Sequence, residues 1–484
     1  MTGPNIIVFV ADDLGWGDTG SYGATRIPTP AIDALAAGGV RFTDAHASSA
    51  VCTPSRYSLL TGCYPWRSPL QAGVLGGTDP SIIAPGQQTI ARLARDAGYS
   101  TGAFGKWHLG MDWTDRDGRR RSAFDDDPFE AQMQASGREI DYARPARSGP
   151  VDHGFDRFFG IAGSLDMPPY CFIDQDRTVG VPDREKSPLI TSQRPGLQVE
   201  GWRDDEVDVR FTREAQAWIR ARADADEPFL AYIASAAPHR PCTPPAFVRG
   251  RSQAGDRGDS VCLVDWMLGE ILATLEASGV LDDTIVLFTS DNGAPMIFPE
   301  DGDVTEHRPN GAWRGQKADA WEGGHRVPLI VSGPGVPGGV VRHETVSLLD
   351  VLPTAGELMG VEQTGADGTS LVGLLTSEAV DRPRRVLGHQ AYDGALILRD
   401  AEKKAIFSSG SGGFSDPVGL PVSAASTDGQ FYDLDGDPTE QANLWDGERE
   451  SAASMLDRFR RATGFDGELE NGVAPRQTRR STSA

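Results

Sequence analysis

The 484-residue sequence contains no long hydrophobic run, and a membrane-spanning helix would need about 20 consecutive apolar residues. The first residues also lack the basic segment and the extended apolar core of a signal peptide. From these two absences we expect a cytoplasmic protein that makes no contact with a membrane.

Cysteine and positive charge are scarce as well. The five cysteines are scattered, without the spacing of a metal site or of a disulfide framework. Lys and Arg number 46 against 69 Asp and Glu, which gives a formal net charge of -23. Such a chain repels nucleic acid and other polyanions at long range, so we expect a small substrate and no nucleic-acid partner. The sequence leaves the oligomeric state open.

The apolar segments that are present indicate an α/β fold. Continuous Ile- and Val-rich runs, typical of strands buried on both faces, alternate with helix-like segments. This alternation predicts a large, mostly parallel sheet sandwiched by helices. The predicted strands are 5–11, 99–104, 229–234, 284–289 and 328–331, and the predicted helices between them are 89–97, 206–221 and 260–277.

The pattern changes in the last quarter of the chain, where short strand-like runs precede an amphipathic segment at 449–462. This predicts a smaller C-terminal antiparallel sheet plus a helix. We therefore expect a catalytic α/β domain over 1–376, a small α+β subdomain over 377–470 and a disordered tail over 471–484. The charge-dense insertion at 112–147 favours a solvated surface loop.

Polar residues stand at the carboxyl ends of the predicted strands, where open α/β sheets bind their ligands. Asp12 and Asp13 follow the first strand, and Asp291 and Asn292 follow the strand at 284–289. Carboxylate and amide oxygens without Cys or His are the ligands of Ca²⁺ or Mg²⁺ rather than Zn²⁺. Each residue alone is better explained as a loop cap or a turn residue, whereas the four together predict a metal site.

The remaining strand ends carry Lys106 and His108 after 99–104 and His239 after 229–234. Histidines titrate in the range that acid–base catalysis needs. Lys106, and Lys317 further along the chain, would be ordinary surface lysines if considered alone, but their flanking glycines and aromatic residues favour a functional role.

Cys52 stands directly before a Thr-Pro-Ser-Arg segment, and Pro54 suits the first turn of a helix. A cysteine at a helix N-terminus faces free N–H groups and the helix dipole, which attract anions and lower the pKa of a thiol. The residues alone leave two interpretations open, a nucleophilic cysteine beside a metal and a buried structural cysteine.

The stretch from Cys52 to Arg56, continuing Tyr-Ser-Leu-Leu-Thr-Gly62, resembles the signature of type I sulfatases, whose cysteine is oxidised after translation to Cα-formylglycine. The chain is most similar to the arylsulfatase A and N-acetylgalactosamine-6-sulfatase branch of this family, within the alkaline phosphatase superfamily of α/β folds. Further segments that resemble the family follow in order along nearly the whole chain: 105–110, 153–156, 238–239, 290–293, 314–317, 321–328 and 432–438.

The resemblance implies a catalytic site and its maturation. A formylglycine-generating enzyme would be a partner during maturation, and Mg²⁺ would be an alternative to Ca²⁺. The implied roles are Ca²⁺ binding by Asp12, Asp13, Asp291 and Asn292, a formylglycine at residue 52 facing the ion, stabilisation of its hydrate by Arg56, sulfate binding by Lys106 and Lys317, a position beside the residue-52 hydroxyls for His108, and one near the ester oxygen for His239.

Two alternative functions stay open. Formylglycine-dependent phosphonate monoester and phosphodiester hydrolases of the same superfamily typically place a histidine after the last metal-binding aspartate, whereas Asn292 stands here and favours sulfate. A non-catalytic sulfate-binding pseudoenzyme would result if Cys52 stayed unoxidised. The expected substrate is a sulfated mono- or oligosaccharide or an aryl sulfate. Trp113 and Trp321 would either supply ring-binding surface or pack in the core.

Overall fold

An eleven-stranded mixed sheet forms the centre of the structure, a computed structural model that describes residues 3–121, 137–299, 306–361, 365–376, 385–423 and 426–466. Its strands, and those of a separate two-stranded sheet (β7 and β8), are β1 (Asn5–Asp12), β2 (Val40–His46), β3 (Ser100–Lys106), β4 (Arg157–Ile161), β5 (Ile173–Asp174), β6 (Arg177–Thr178), β7 (Arg184–Lys186), β8 (Gly196–Gln198), β9 (Phe229–Pro238), β10 (Thr284–Ser290), β11 (Arg326–Ser332), β12 (Val340–Arg342) and β13 (Val346–Ser347).

The central strand β1 explains the apolar runs in the sequence. It pairs in parallel with β9 on one side and with β10 on the other. Its alternate side chains enter two different cores, because Val8 and Val10 pack in one cluster while Ile7 and Phe9 pack in the other. A strand that is buried on both faces must be apolar at every position, which confirms the predicted mostly parallel α/β sheet.

Helices cover both faces of this sheet. Phe211 and Leu268 lie on helices that pack against one face, and Leu93 and Leu352 lie on helices that pack against the other. Among the described residues, no helix combines the length and apolar character needed to cross a membrane. The helices are α1 (Pro30–Ala37), α2 (Cys52–Thr61), α3 (Ile90–Asp96), α4 (Val207–Asp224), α5 (Gly255–Ala277), α6 (Glu322–His325), α7 (Val351–Met359), α8 (Val372–Thr376) and α9 (Trp445–Thr463).

Strand β2 was not predicted from the sequence. It pairs antiparallel with β11, which itself pairs antiparallel with β10, so this side of the sheet departs from the parallel pattern. The β2 sequence is rich in polar residues, and Asp44 and His46 are nevertheless buried. Their burial depends on partners from the C-terminal part of the chain, which local sequence patterns do not reveal.

The C-terminal part forms a separate four-stranded antiparallel sheet covered by α9, as predicted. Its strands are β14 (Leu387–Gln390), β15 (Leu396–Arg399), β16 (Lys403–Ile406) and β17 (Gln430–Asp433). We propose 377–470 as the extent of this subdomain. Residues 377–384 and 467–470, the predicted tail at 471–484, and 122–136 of the charge-dense insertion lie outside the described residues.

Buried ion pairs join the two sheets. Arg399 on β15 places Nη2 2.8 Å from Asp44 Oδ1 and Nε 3.1 Å from Glu322 Oε1. Lys404 on β16 places Nζ 3.1 Å from Glu322 and 2.8 Å from Glu440. Burial alone would raise the pKa of Asp44, but the Arg399 charge holds that pKa well below its usual value. The C-terminal sheet is thus attached to the large sheet through buried charges that compensate one another.

Replacing Arg399 should therefore destabilise the protein strongly. Arg399→Met leaves two buried carboxylates without this cation, and we expect the free energy of unfolding to fall by about 3–5 kcal/mol in chemical denaturation at neutral pH. The matched control is Arg458→Met, because Arg458 is 47% exposed and pairs with Asp400 at 3.2 Å. Its loss should stay below about 1 kcal/mol. Similar small losses for both variants would contradict the proposed attachment.

Candidate active site

Four oxygen-bearing side chains meet at the carboxyl ends of β1 and β10. The two strands pair in parallel with Ala11 opposite Ser290, so the residues that follow each strand lie side by side. The backbone N–H of Asp13 donates to Asp291 Oδ1 at 3.1 Å, and Asn292 Nδ2 donates to Asp13 Oδ1 at 2.8 Å. Asp12, Asp13, Asp291 and Asn292 are each at most 2% exposed. The structure thus brings the four predicted metal ligands together.

The donor set of this cluster fits a hard divalent cation. Asn292 Oδ1 is buried and finds no hydrogen-bond partner among the described residues, although its Nδ2 donates twice. An unpaired buried amide oxygen is costly, and a cation would satisfy it. Ligand atoms of Asp12, Asp291 and Cys52 also lie within 4.8 Å of one another. Three carboxylates and one amide therefore form an oxygen-rich site facing residue 52.

Two buried lysines offset part of this negative charge. Lys106 Nζ donates to both oxygens of Asp12, at 2.8 and 2.7 Å, and Lys317 Nζ lies 2.7 Å from both oxygens of Asp13. Burial alone would raise the pKa of Asp12, but the nearby positive charges, Lys106 first, hold that pKa far below its usual value. Neither lysine is therefore the surface residue that its sequence context alone would allow.

Arg56 is the third cation of the site. It lies four residues after Cys52 on α2, so both side chains share one face of the helix. Its Nε donates to Asp291 Oδ2 at 2.9 Å, and Nη1 donates to the Lys106 carbonyl oxygen and to Tyr232 Oη, each at 3.3 Å. Sequence reasoning missed Tyr232, because a tyrosine in the middle of β9 is indistinguishable from a core residue.

Cys52 is the first residue of α2 and is 2% exposed. The helix N-terminus led us to predict a lowered thiol pKa, and this prediction is wrong. Burial raises the pKa of the Cys52 thiol, and the opposing attraction of Lys106 and Lys317 does not compensate for it. An unmodified Cys52 would therefore be protonated at neutral pH and a poor nucleophile.

Two histidines flank the cluster, and each ring is held by a hydrogen bond to a backbone carbonyl oxygen. His108 Nε2 donates to the Leu75 carbonyl oxygen at 2.7 Å, which leaves Nδ1 with a lone pair. This Nδ1 is buried and has no partner within the described part of the chain, and burial holds the pKa of His108 well below its usual value. His239 Nδ1 donates to the Arg240 carbonyl oxygen at 2.6 Å, so Nε2 faces Asp13 at 3.6 Å.

A second buried network holds Asp13 in place. Asp13 has a φ of 66°, in the left-handed region, and its carbonyl oxygen accepts from Arg257 Nη2 at 3.1 Å. Arg257 in turn pairs with Asp18 at 2.7 Å, and His307 Nε2 also lies 2.7 Å from Asp18. Sequence reasoning missed these residues, because Arg257 lies 244 positions from Asp13 and no local motif connects them.

The tryptophans considered as ring-binding surface belong to the core instead. Trp113 and Trp321 are 1% and 3% exposed. Their indole N–H groups donate inside the protein, Trp113 to the Gly77 carbonyl oxygen and Trp321 to Gln430 Oε1. The packing interpretation of both residues is therefore the right one.

Comparison with known proteins places this site in a family. The family model described as Sulfatase matches residues 4–361, which include the complete cluster. The chain belongs to the sulfatase family. This confirms the resemblance seen in the sequence, and the protein is accordingly an enzyme that hydrolyses sulfate esters.

Individual relatives cover nearly all of this sulfatase. It is 31% identical over 487 residues to an N-acetylgalactosamine-6-O-sulfatase of Bacteroides thetaiotaomicron, covering 91% of this chain and 89% of that protein. It is 30% identical to human arylsulfatase A, and the match covers 97% of this chain and 89% of that protein. A solved structure described under the metabolism of multiple glycosaminoglycans by Bacteroides thetaiotaomicron has a TM-score of 0.80 and 27% identity, covering 96% and 100%. The alkaline phosphatase-like fold is therefore confirmed.

Proposed function

We propose that this sulfatase cleaves the sulfate monoester of a sugar or an aryl alcohol, using a formylglycine made from Cys52 and a bound Ca²⁺. The observation that carries the proposal is the position of Cys52, buried beside Asp12 and Asp291 with the unpaired oxygen of Asn292 in the same cluster. A formylglycine-generating enzyme would be needed for maturation, and Mg²⁺ would suit the same oxygen donors.

The two groups would supply complementary chemistry. A formylglycine hydrate carries two hydroxyls on one carbon, so one can attack sulfur and the other can expel sulfate as the aldehyde re-forms. Ca²⁺ held by Asp12, Asp13, Asp291 and Asn292 would favour the ionised hydroxyl and polarise the sulfuryl oxygens. The Cβ atom of Cys52 would become the carbon that carries both hydroxyls, and the present Sγ marks the region that one of them would occupy.

The cations of the chain would bind and stabilise the sulfuryl group. Lys106 and Lys317 contact different carboxylates of the cluster, Asp12 and Asp13 respectively. In a water-poor site their charges act strongly on the oxygens of a transferring sulfuryl group. Arg56 is fixed by Asp291 and lies one helical turn after residue 52, which suits it to hold the hydrate in one orientation.

The histidines suit the two proton transfers. His108 is held unprotonated at Nδ1, so it would accept the proton of the second hydroxyl when sulfate leaves. His239 is fixed through its Nδ1–H with Nε2 facing the cluster, so the doubly protonated ring would deliver its Nε2 proton to the leaving alkoxide. Both assignments rest on hydrogen bonds to backbone carbonyl oxygens, which define the ring orientation.

The alternatives receive less support. Asn292 is a neutral amide at the position where phosphonate monoester and phosphodiester hydrolases would carry a histidine, so we favour sulfate over phosphorus esters. The pseudoenzyme would require an unoxidised Cys52. The names of the relatives support a sulfated sugar such as an N-acetylgalactosamine 6-sulfate, or an aryl sulfate, as the substrate. The cytoplasmic location remains a prediction.

Cys52→Ala should fold normally and lose turnover of an aryl sulfate by more than about a thousandfold, because it removes the nucleophile. The matched control, Cys63→Ala, should keep its activity, since Cys63 Sγ donates to the backbone carbonyl oxygens of residues 61 and 365, which do not belong to the cluster. Mass spectrometry of the wild-type peptide should show the aldehyde at residue 52. A Cys52→Ala variant that retained most activity would exclude the mechanism.

Removal of the metal should abolish activity reversibly. After chelation, addition of Ca²⁺ or Mg²⁺ should restore aryl sulfate turnover, and Ca²⁺ at 100 times its Kd should add about 2.7 kcal/mol to the free energy of unfolding. Rescue by Zn²⁺ alone would contradict the oxygen-ligand argument.

Asn292→His should move the enzyme towards phosphorus chemistry. We expect the ratio of kcat/KM for an aryl sulfate to that for an aryl phosphonate to fall by roughly tenfold, equivalent to about 1.4 kcal/mol of differential transition-state binding. Asn292→Ala is the control, because it removes the amide without adding an imidazole and should weaken both activities equally. An unchanged ratio in Asn292→His would remove the reason for preferring sulfate.

A further inference from the structure

Large apolar side chains are exposed on two loops beside the site. Met296, Phe298 and Phe414 are 61%, 38% and 53% exposed, and Tyr392 beside them is half-buried. We call these four residues the apolar rim. Single exposed apolar residues are ordinary, but a cluster next to a reaction centre marks a binding surface.

One half of the apolar rim comes from the C-terminal subdomain. The Tyr392 backbone N–H donates to the carbonyl oxygen of Ala318, the residue after Lys317, at 3.0 Å. The Tyr392 and Phe414 rings contact each other with centroids 5.5 Å apart. Burial raises the pKa of Tyr392 to about 12, and Cys52 and Lys317 lie close enough to act on it. This pair of rings is therefore joined through Ala318 to the segment that carries Lys317.

The other half comes from the loop that follows Asn292. The Arg240 guanidinium lies 4.1 Å from the centroid of the Phe298 ring, and Arg240 directly follows His239. The Met296 backbone N–H donates to Gln316 Oε1 at 2.6 Å, one residue before Lys317. Both halves of the apolar rim are thus tied to the segments that carry the substrate-facing Lys317 and His239.

We propose that the apolar rim binds the alcohol half of the substrate, and that this half is an uncharged ring with an apolar face, either a pyranose or an aryl group. The inference rests on the proposed function, in which Lys106 and Lys317 bind sulfate and His239 meets the ester oxygen. An alcohol that extends outward from His239 then lies between the two halves of the apolar rim. Aromatic side chains pack well against either kind of ring face.

The cations next to the apolar rim already have partners of their own. Arg240 stacks on Phe298, and Arg194, which acts on the pKa of Tyr392, places Nη1 3.0 Å from Asp166 Oδ2. The four side chains of the apolar rim are themselves uncharged, so a second anionic group on the ring would find no ionic partner among them. The net charge of -23 disfavours such a group further.

The test uses the matured enzyme loaded with Ca²⁺ and two probes, 4-nitrophenyl sulfate and galactose 6-sulfate. Phe414→Ala and Met296→Ala should each raise KM by roughly tenfold for the substrate whose ring they contact. Their kcat should stay within about threefold of the wild-type value, and inhibition by inorganic sulfate should be unchanged. Phe247→Ala is the control, because Phe247 is 43% exposed but packs on Trp266 of α5. It should leave KM unchanged.

The outcomes separate the two proposals. A KM rise confined to 4-nitrophenyl sulfate identifies an aryl ring, and one confined to galactose 6-sulfate identifies a pyranose. If the wild type turns over a sulfate ester while neither rim variant changes KM, the inference fails and the proposed function stands. If the wild type carries the aldehyde at residue 52 and hydrolyses no sulfate ester, the proposed function itself fails.

The charge of the ring is tested with the wild-type enzyme and a matched pair of substrates. The sulfate esters of methyl 4-hydroxybenzoate and of 4-hydroxybenzoate differ by one carboxylate on the same ring. We expect kcat/KM for the carboxylate to be at least about tenfold lower. An equal or higher kcat/KM for the charged ester would overturn the assignment of an uncharged ring.

Discussion

Burying three carboxylates side by side is the constraint on which the rest of the site depends. The parallel pairing of β1 with β10 forces Asp12, Asp13 and Asp291 together where water is excluded. Such a cluster is tolerated only if cations neutralise it. The chain supplies them as Lys106, Lys317 and Arg56, from β3, from the loop before α6 and from α2. The residues that make the fold possible are thus the ones suited to bind an anionic ester.

The C-terminal subdomain shapes the same site from the other side. Ala50, two residues before Cys52, donates its backbone N–H to the carbonyl oxygen of Gln390 on strand β14 at 2.9 Å. Buried pairs such as Arg399 with Asp44 hold this sheet against the large one. The entry to α2, and with it the position of residue 52, is therefore fixed jointly by both sheets. The same attachment holds Tyr392 beside the segment that carries Lys317.

The sequence predicted those features whose causes are local. Strand β1 was predictable because burial on both faces requires an apolar run, and the meeting of Asp12 with Asn292 was predictable because residues that follow parallel strands lie at one edge of the sheet. Strand β2 was missed because Asp44 is buried by Arg399, 355 residues away. Arg257 was missed for the same reason, since its contact with Asp13 exists only in the folded chain. Pairing of charges that lie far apart along the chain leaves no periodic pattern in the sequence.

The error over the Cys52 thiol helps to explain why this position suits a modified residue. Burial opposes the lowering of a thiol pKa by a helix N-terminus, and at Cys52 burial outweighs Lys106 and Lys317 together. A thiol held protonated contributes little nucleophilicity at neutral pH. A formylglycine hydrate needs no preformed anion of that kind, since its hydroxyl can lose its proton to a nearby base or beside a metal during attack. The exclusion of water that disfavours a thiolate would then strengthen the electrostatic interactions of the buried cations with the sulfuryl group.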